Sequence, residues 1–417
     1  MKKHLFLSIL ILIVAISACQ AQDEDPFLVE DIGPVSPLLN PETAEVENCT
    51  VVSQAEAPTP VVDSIYAPVS EADWVTGAES PSVTFITYSD FQCPFCAVMA
   101  DYLAQLQAEF PEDVQIVFRQ FPLIGEPGSV ILDKTDLAAK AAEAAGLQDQ
   151  FWAMHDLLYE RQAEWEVLTP EEFEVWLLAE AEMIGLDIEQ FGADFVSEEL
   201  SAFTRAAWDA GREIGLTGTP TLLINDEPYL GPLTYATLNE ITSLHALEKR
   251  QYNDCPPMVI DPLKQYTATI VTEKGEIVIE LWPDVAPIAV NNFVFLAQNG
   301  WYVDVPFHRV LEDFMAQGGD PSGTGAGSPG YLFAIEISPL ITFDRPGLFA
   351  MANSGPTSNG SQFFITFTEL PDLNGQFTIF GEVVEGMTIA LSLTLRDPSL
   401  LDQPDGTLIL DITIEEK

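Results

Sequence analysis

The alternation of apolar and polar residues changes character twice along the chain. From Gln20 to about Tyr66 no long element has a regular period, and before it Leu5 to Ile16 is apolar but for Ser8. Ser82 to Tyr88 (SVTFITY) is β-branched and aromatic and predicts a strand. A helix is predicted after it with Val98, Met99, Leu103 and Leu106 on its apolar face, and then a second strand at Val114 to Phe118. The next hundred residues are mostly helical in pattern. Among them, Thr169-Pro170-Glu171-Glu172 supplies an N-cap, a proline at the first helical position and a capping-box glutamate ahead of Phe173, Trp176 and Leu177. Gly185 is the expected stop. Thr221 to Ile224 returns to strand, and Asn225-Asp226 turns toward a final strand and helix.

Beyond Tyr266 the period shortens to two. Tyr266 to Val271 and Glu276 to Leu281 alternate around Glu273-Lys274-Gly275, which predicts a hairpin. Short strands and glycine-rich loops follow and predict a β-barrel with a helix near Ala286 to Gln298. Charge, Cys255-Pro256-Pro257 and Pro262 mark the stretch Leu247 to Lys264 as a linker. The 417 residues suffice for two cores, and 47% hydrophobic content predicts that most of the chain folds. The expected division is a leader at 1–19, an acidic tether at 20–65, a first domain at 66–247, a linker at 248–265 and a second domain at 266–417.

Charge narrows the partners. The formal net charge is −49, and no Lys or Arg occurs between Lys3 and Arg119, which argues against nucleic acid or an anionic surface. Lys2 and Lys3, the apolar run and the small residues after it have the order of an export signal, and the run is too short to predict a span. Ile16-Ser17-Ala18-Cys19 resembles the bacterial lipobox, which implies lipidation at Cys19 and a membrane-anchored lipoprotein of the cell envelope. An ordinary cleaved signal and a retained anchor helix are the alternatives. In an oxidising compartment each remaining thiol needs a fate. Cys93 and Cys96 form a C-x-x-C motif, so subtraction leaves Cys49 and Cys255 as candidates to pair with each other.

Cys93-Pro94-Phe95-Cys96 falls between a predicted strand and a predicted helix. That spacing puts the first thiol at a helix N-terminus, where unpaired N–H groups favour the thiolate. Cys93 is then the nucleophile and Cys96 the group that resolves a mixed disulfide. A structural disulfide and half of a zinc site are the competing readings, but the histidines at 4, 155, 245 and 308 offer no partner at ligand spacing. Far downstream, Gly218-Thr219-Pro220-Thr221 precedes the strand TLLI and resembles the cis-proline turn of the thioredoxin superfamily. Together with Ser89-Asp90-Phe91-Gln92 and the helical insertion, these motifs resemble the DsbA-like branch of thioredoxin-fold oxidoreductases over roughly residues 65–247. The resemblance implies an α/β thioredoxin fold, with Pro220 beside the dithiol and the Thr219 backbone pairing with an extended client. Phe95 cannot donate a hydrogen bond, so the direction of exchange stays open among oxidant, isomerase and reductase.

The second domain carries Phe307-His308-Arg309-Val310, Phe314-Met315-Ala316-Gln317-Gly318-Gly319-Asp320, Met351-Ala352-Asn353 and Asn359-Gly360-Ser361-Gln362-Phe363-Phe364-Ile365. In order and spacing these resemble the cyclophilin family from about Tyr266 onward. The resemblance implies a mainly β barrel that isomerises X-Pro bonds, with Arg309 as the catalytic arginine. Phe314, Met315, Phe364 and Leu373 match its proline pocket, and Ala352, in Met351-Ala352-Asn353, is counted with them as substrate-binding. Gln317, Asn353 and Gln362 match the groups that bond client backbone or hold the arginine. His308 matches a structural position. Asp372 stands where the family often has Trp, and Phe377 follows Gly375 where it often has His, which implies weak binding of cyclosporin-type ligands. Glycines 323, 325 and 327 read as flexible-loop residues rather than a phosphate loop, since no suitable helix follows.

No metal or cofactor is predicted. The two resemblances imply an exported folding catalyst that combines prolyl isomerisation with thiol exchange. Its expected partners are unfolded or partly folded exported proteins, a redox partner that resets Cys93–Cys96, and a membrane reached through the lipid. An anchored client-binding protein with a dedicated thiol reductase role is the alternative.

Overall fold

The structure, a computed structural model, describes residues 49–52, 65–125, 132–400 and 403–417. The export signal, Cys19 and most of the acidic tether lie outside the described residues. Among those described, no helix is long and apolar enough to cross a membrane.

A short strand, β1 (Cys49–Val51), comes first. The first domain then runs β2 (Trp74–Gly77), β3 (Val83–Ser89), α1 (Pro94–Glu109) and β4 (Val114–Gln120). The helical insertion holds α2 (Thr135–Gly146), α3 (Phe151–Glu160), α4 (Gln162–Trp165), α5 (Pro170–Met183), α6 (Ile188–Phe195) and α7 (Glu198–Glu213). Strands β5 (Thr221–Ile224) and β6 (Glu227–Pro228) and helix α8 (Tyr235–Glu248) complete it.

The sheet order is β2-β4-β3-β5-β6, with β3 and β4 parallel and β3 and β5 antiparallel. Strand β3 is buried at every position but Thr84 because helices cover both of its faces. Val83 and Phe85 pack with Met99, Leu103 and Leu106 of α1 and Leu238 of α8, while Ile86 and Tyr88 pack with Trp208 of α7. In α1 the buried positions are Cys96, Met99, Leu103 and Leu106, at helical spacing. Val98, expected on that face, is instead 48% exposed, because it falls one residue off the spacing. Helix α5 begins with a full capping box between Thr169 and Glu172 and ends before Gly185, whose φ of +86° suits glycine.

The second domain begins with the hairpin β7 (Tyr266–Thr272) and β8 (Gly275–Leu281), followed by α9 (Pro287–Gln298). Strands β9 (Val305–Pro306), β10 (Arg309–Leu311), β11 (Met315–Gly318), β12 (Tyr331–Phe333), β13 (Leu348–Met351), β14 (Phe363–Thr366) and β15 (Ile379–Glu385) come next. A short helix α10 (Met387–Ala390) and strand β16 (Leu408–Glu416) end it. The large antiparallel sheet has the order β10-β11-β14-β13-β15-β8-β7-β16-β9. Its two end strands, β9 and β10, are separated in sequence by Phe307 and His308 alone, which span at most about 10 Å. The sheet therefore curls until its edges meet. Helix α9 packs against this curl, with Phe293 in contact with Tyr302, Phe349, Phe363 and Phe380.

The segment between the domains is docked on both. Lys249 Nζ donates to Ser80 O (3.1 Å) and Glu112 O (2.9 Å) and pairs with Asp113 in the first domain. Its neighbour Arg250 donates to Trp301 O (3.0 Å) in the second and stacks over the Trp301 ring. Cys49 and Cys255 form a disulfide, and β1 pairs antiparallel with β12 of the second domain.

Replacing Thr169 by Ala removes the acceptor of the Glu172 N–H and is expected to destabilise the first domain by about 1 kcal/mol. The measurement is the urea midpoint followed by tryptophan fluorescence; an unchanged midpoint would contradict the cap's contribution.

Candidate active sites

Cys93 is the N-cap of α1 and Pro94 occupies its first turn, so the thiol sits where helix N–H groups lack intrahelical partners. Cys93 Sγ lies 3.5 Å from the Thr219 carbonyl oxygen, and the Thr219–Pro220 peptide bond is cis. The Cys96 thiol, then Thr219 and the backbone N–H groups of Cys96 and Phe95, pull the Cys93 thiol down to about 5 against the opposing effect of burial. Cys96 moves the other way: burial, reinforced by the negative charge on Cys93, pushes its thiol far up. One cysteine is thus an anion at neutral pH and the other a proton carrier. Phe95, between them, is 72% exposed.

The insertion grips this motif from below. Gln162 Nε2 donates to Phe91 O (2.7 Å) and Cys93 O (3.1 Å), and Gln92 Oε1 accepts from Lys134 N (2.8 Å). The buried Asp90 carboxyl accepts from Thr135 Oγ1 and from the N–H groups of Gln92 and Leu123, and burial pushes it up to about 6. Asp90 and Gln162 were absent from the sequence-based site. Asp90 adjoins the motif and carried a signal in its proximity; Gln162 lies far along the chain and carried none.

In the second domain the site follows from strand alternation. Arg309 of β10 lies opposite Gln317 of β11, and Gln317 opposite Phe364 of β14. These side chains and Met315 share one face of the sheet, while Val310, Ala316, Phe363 and Ile365 face the core. The outer face borders a cavity of about 580 Å³ lined by Arg309, Phe314, Met315, Gln317, Ala352, Asn353, Gln362, Phe364 and Leu373, all of them singled out in the sequence. Phe377, noted there only as a departure, also lines it and meets Phe364 edge to face at 5.6 Å. Asp372 is exposed beside Leu373.

The Arg309 guanidinium stands 5.7 Å from the Phe314 ring centre, and none of the described residues accepts a hydrogen bond from it. Gln317 and Gln362 are committed elsewhere. Gln317 Nε2 donates to Gln362 Oε1 (2.9 Å), and Gln362 Nε2 donates to Gly325 O (2.9 Å) and Gly327 O (3.0 Å). Asn353 Nδ2 donates to Gln376 O (3.2 Å), which fastens the cavity rim. His308 is buried behind the loop and does not line the cavity; burial lowers its basicity.

The glycine loop corrects the expectation of flexibility. The Asp320 carboxylate, with no exposed surface, accepts from Ser322 N (2.8 Å), Gly325 N (2.7 Å) and Gly327 N (2.9 Å). A Cβ on Gly327 would overlap Asp320 Oδ1, so glycine serves close approach there. The loop is a tied wall of the cavity. Among the described residues no cluster of His, Cys, Asp or Glu is arranged to hold a metal ion.

Comparison with known proteins covers both sites. Residues 69–242 match the family model described as thioredoxin, and residues 267–409 match that for cyclophilin type peptidyl-prolyl cis-trans isomerase/CLD. Peptidyl-prolyl cis-trans isomerase A of Mycobacterium tuberculosis is 45% identical over 181 residues, covering 39% of this chain and 98% of that protein. Peptidyl-prolyl cis-trans isomerase B of Streptomyces anulatus is 48% identical over 172 residues, covering 37% and 98%. A crystal structure of a cyclophilin type isomerase from Cryptosporidium parvum is 37% identical with a TM-score of 0.34, covering 36% of this chain and 98% of its own. The chain belongs, through its second domain, to the cyclophilin-type peptidyl-prolyl cis-trans isomerases, and it carries a thioredoxin-like domain ahead of that one.

Proposed function

We propose that this chain is an exported, lipid-anchored folding catalyst that isomerises X-Pro bonds at Arg309 and exchanges thiols with disulfides at Cys93–Cys96. The observation that carries the isomerase half is a guanidinium with no acceptor among the described residues, set on the wall of an apolar cavity. Rotation about X-Pro is opposed by amide resonance with a barrier of ~18–20 kcal/mol. A twisted amide has a freed nitrogen lone pair, and a permanently charged donor aimed at it or at the adjacent carbonyl stabilises that state selectively. Phe314, Met315, Phe364 and Leu373 hold the proline ring, while Gln317, Ala352, Asn353 and Gln362 contact the client backbone or keep the wall in place. Neither a nucleophile nor a proton transfer is needed.

At the dithiol, the Cys93 thiolate attacks a client disulfide, forming a Cys93–client bond and releasing one client thiolate. Cys96 then loses its proton and attacks Cys93 Sγ, which closes the Cys93–Cys96 disulfide and releases the second client thiol. Two electrons pass to the client, and a redox partner resets the pair. Run in reverse, the same steps oxidise a client. The stabilised Cys93 thiolate favours the reduced dithiol and hence the oxidising direction. Export is supported by the leader sequence and by the Cys49–Cys255 disulfide, a bond that persists in oxidising compartments.

Arg309→Ala is expected to lower kcat/KM for an X-Pro peptide by about a hundredfold or more with the fold intact, measured by a protease-coupled assay. Activity within a few fold of the parent would remove Arg309 from the mechanism. Alkylation of Cys93 should follow its thiolate fraction, staying flat above neutrality and falling as pH drops through about 5. Cys96→Ala removes the thiol that donates to it, so the midpoint should move up; a midpoint near the ordinary thiol range in the parent would contradict the stabilisation. If both sites act on one client, the parent should refold a disulfide-containing, proline-limited substrate faster than an equimolar mixture of Arg309→Ala and Cys93→Ser chains. Equal rates would show that the sites work independently.

A further inference from the structure

The wall of the isomerase cavity built by residues 325–332 is supported from two segments outside the domain's own sheet and helices. On one side is the end of α8 and the chain after it. Leu247 is buried against Gly327, where a Cβ would come within 2.7 Å of Leu247 Cδ2. Gln251 Nε2 donates to Ser328 O (3.3 Å), and Tyr252 N donates to Pro329 O (2.8 Å). On the other side is the segment before the first domain. Val52 N donates to Gly330 O (2.7 Å), and Thr50 lies opposite Leu332 in the β1–β12 pair. The Cys49–Cys255 disulfide joins one support to the other.

What they support belongs to the groove. Gly325, Gly327, Ser328 and Leu332 line the cavity, and the carbonyls of Gly325 and Gly327 hold Gln362. Gln362 in turn accepts from Gln317, the cross-strand neighbour of Arg309. None of the residues in 49–52 or 247–255 lines the cavity itself.

We propose that residues 49–52 and 247–255 form a disulfide-closed brace that positions this wall, so that client binding beside Arg309 depends on chain outside the isomerase sheet. The brace residues are positioning residues. Arg309 itself is held by the β10–β11 ladder, which the brace does not touch. Opening the brace therefore loosens the wall that binds client in ground state and transition state alike, and its signature is a raised KM with kcat retained. The inference rests on isomerisation at Arg309, and the parent's own kcat tests that premise separately.

The test uses the full chain with Cys19, Cys93 and Cys96 replaced by Ser, so that Cys49–Cys255 is the bond a phosphine can reduce. The phosphine supplies two electrons and water supplies the oxygen and two protons, leaving two thiols and the phosphine oxide. Reduction, verified by a free-thiol count, is expected to raise KM for an X-Pro peptide by roughly three- to tenfold, the factor that one ordinary hydrogen bond contributes, with kcat nearly unchanged. Amide exchange at residues 325–332 should rise in parallel. Val52→Pro deletes the donor to Gly330 O from an exposed residue and should shift KM in the same direction, which keeps the test decisive should reduction unfold the domain. Unchanged KM in both the verified reduced protein and Val52→Pro would overturn the brace, as would a fall in kcat with KM unaltered. A parent without measurable turnover would instead strike at the isomerase reading.

Discussion

The geometry of the isomerase groove depends on one carboxylate with no exposed surface. A buried polar group is tolerated where hydrogen bonds replace its solvation, and Asp320 gathers them from the backbone N–H groups of Ser322, Gly325 and Gly327. To reach it the chain must fold back on itself, which explains the φ of +84° at Gly325 and the lack of room for a side chain at Gly327. The N–H groups point inward to Asp320, so two carbonyls are left pointing at Gln362. Gln317 Nε2 is committed to Gln362, and Gln362 to that loop, while the neighbouring guanidinium keeps its donors for an external acceptor. A permanently charged donor with uncommitted N–H groups on the wall of such a cavity is placed to meet charge that develops beside it, which is where electrostatic catalysis gains most.

The dithiol uses related physics with the opposite sign. There the partners are the Cys96 thiol first, then Thr219 and the N–H groups of Cys96 and Phe95 at the helix start, and the group they favour is an anion. The Cys93 and Cys96 thiols shift apart because they share one site: negative charge accepted by Cys93 is charge that buried Cys96 must avoid. Asp90, buried nearby, is pushed up by burial first and, more weakly, by the charge on Cys93. The helical insertion is more than an appendage to this centre, since Gln162 holds the carbonyls of Phe91 and Cys93 and thereby the turn that presents the thiol.

Most of this was legible where the determining interactions are local. Strand β3, the capping box of α5, the hairpin around Gly275 and the helix α9 all follow from neighbours within a few residues. The cavity residues were legible through the cyclophilin-like motifs and not through periodicity; alternation along β11 and β14 is what the structure adds, turning Met315, Gln317 and Phe364 outward and Ala316 and Phe363 inward. What the sequence concealed is long-range. Nothing near Thr50 announces that three residues of an acidic segment pair with a strand 282 residues away at Leu332. Gly323, Gly325 and Gly327 looked loose because glycine reports permitted conformations and is silent about the carboxylate that selects one. Val98 went wrong by a single position, the margin at which a helix turns a side chain from core to solvent.

The pairing of β1 with β12 also changes how the two domains are joined. In sequence the thioredoxin-like domain separates the N-terminal segment from the isomerase. In space Cys49 and Cys255, which bracket that domain, are bonded to each other and both pack against the isomerase core. The exit of the thioredoxin-like domain is thereby fixed on its neighbour, and Lys249 and Arg250 bolt that exit to each domain in turn. A flexible linker would set the encounter between a client held at one site and the second site by its length and stiffness. Here folded contacts at Lys249 and Arg250 restrain that segment, so on the proposed reading the two chemistries meet a client over a narrower range of geometries than a free tether would give.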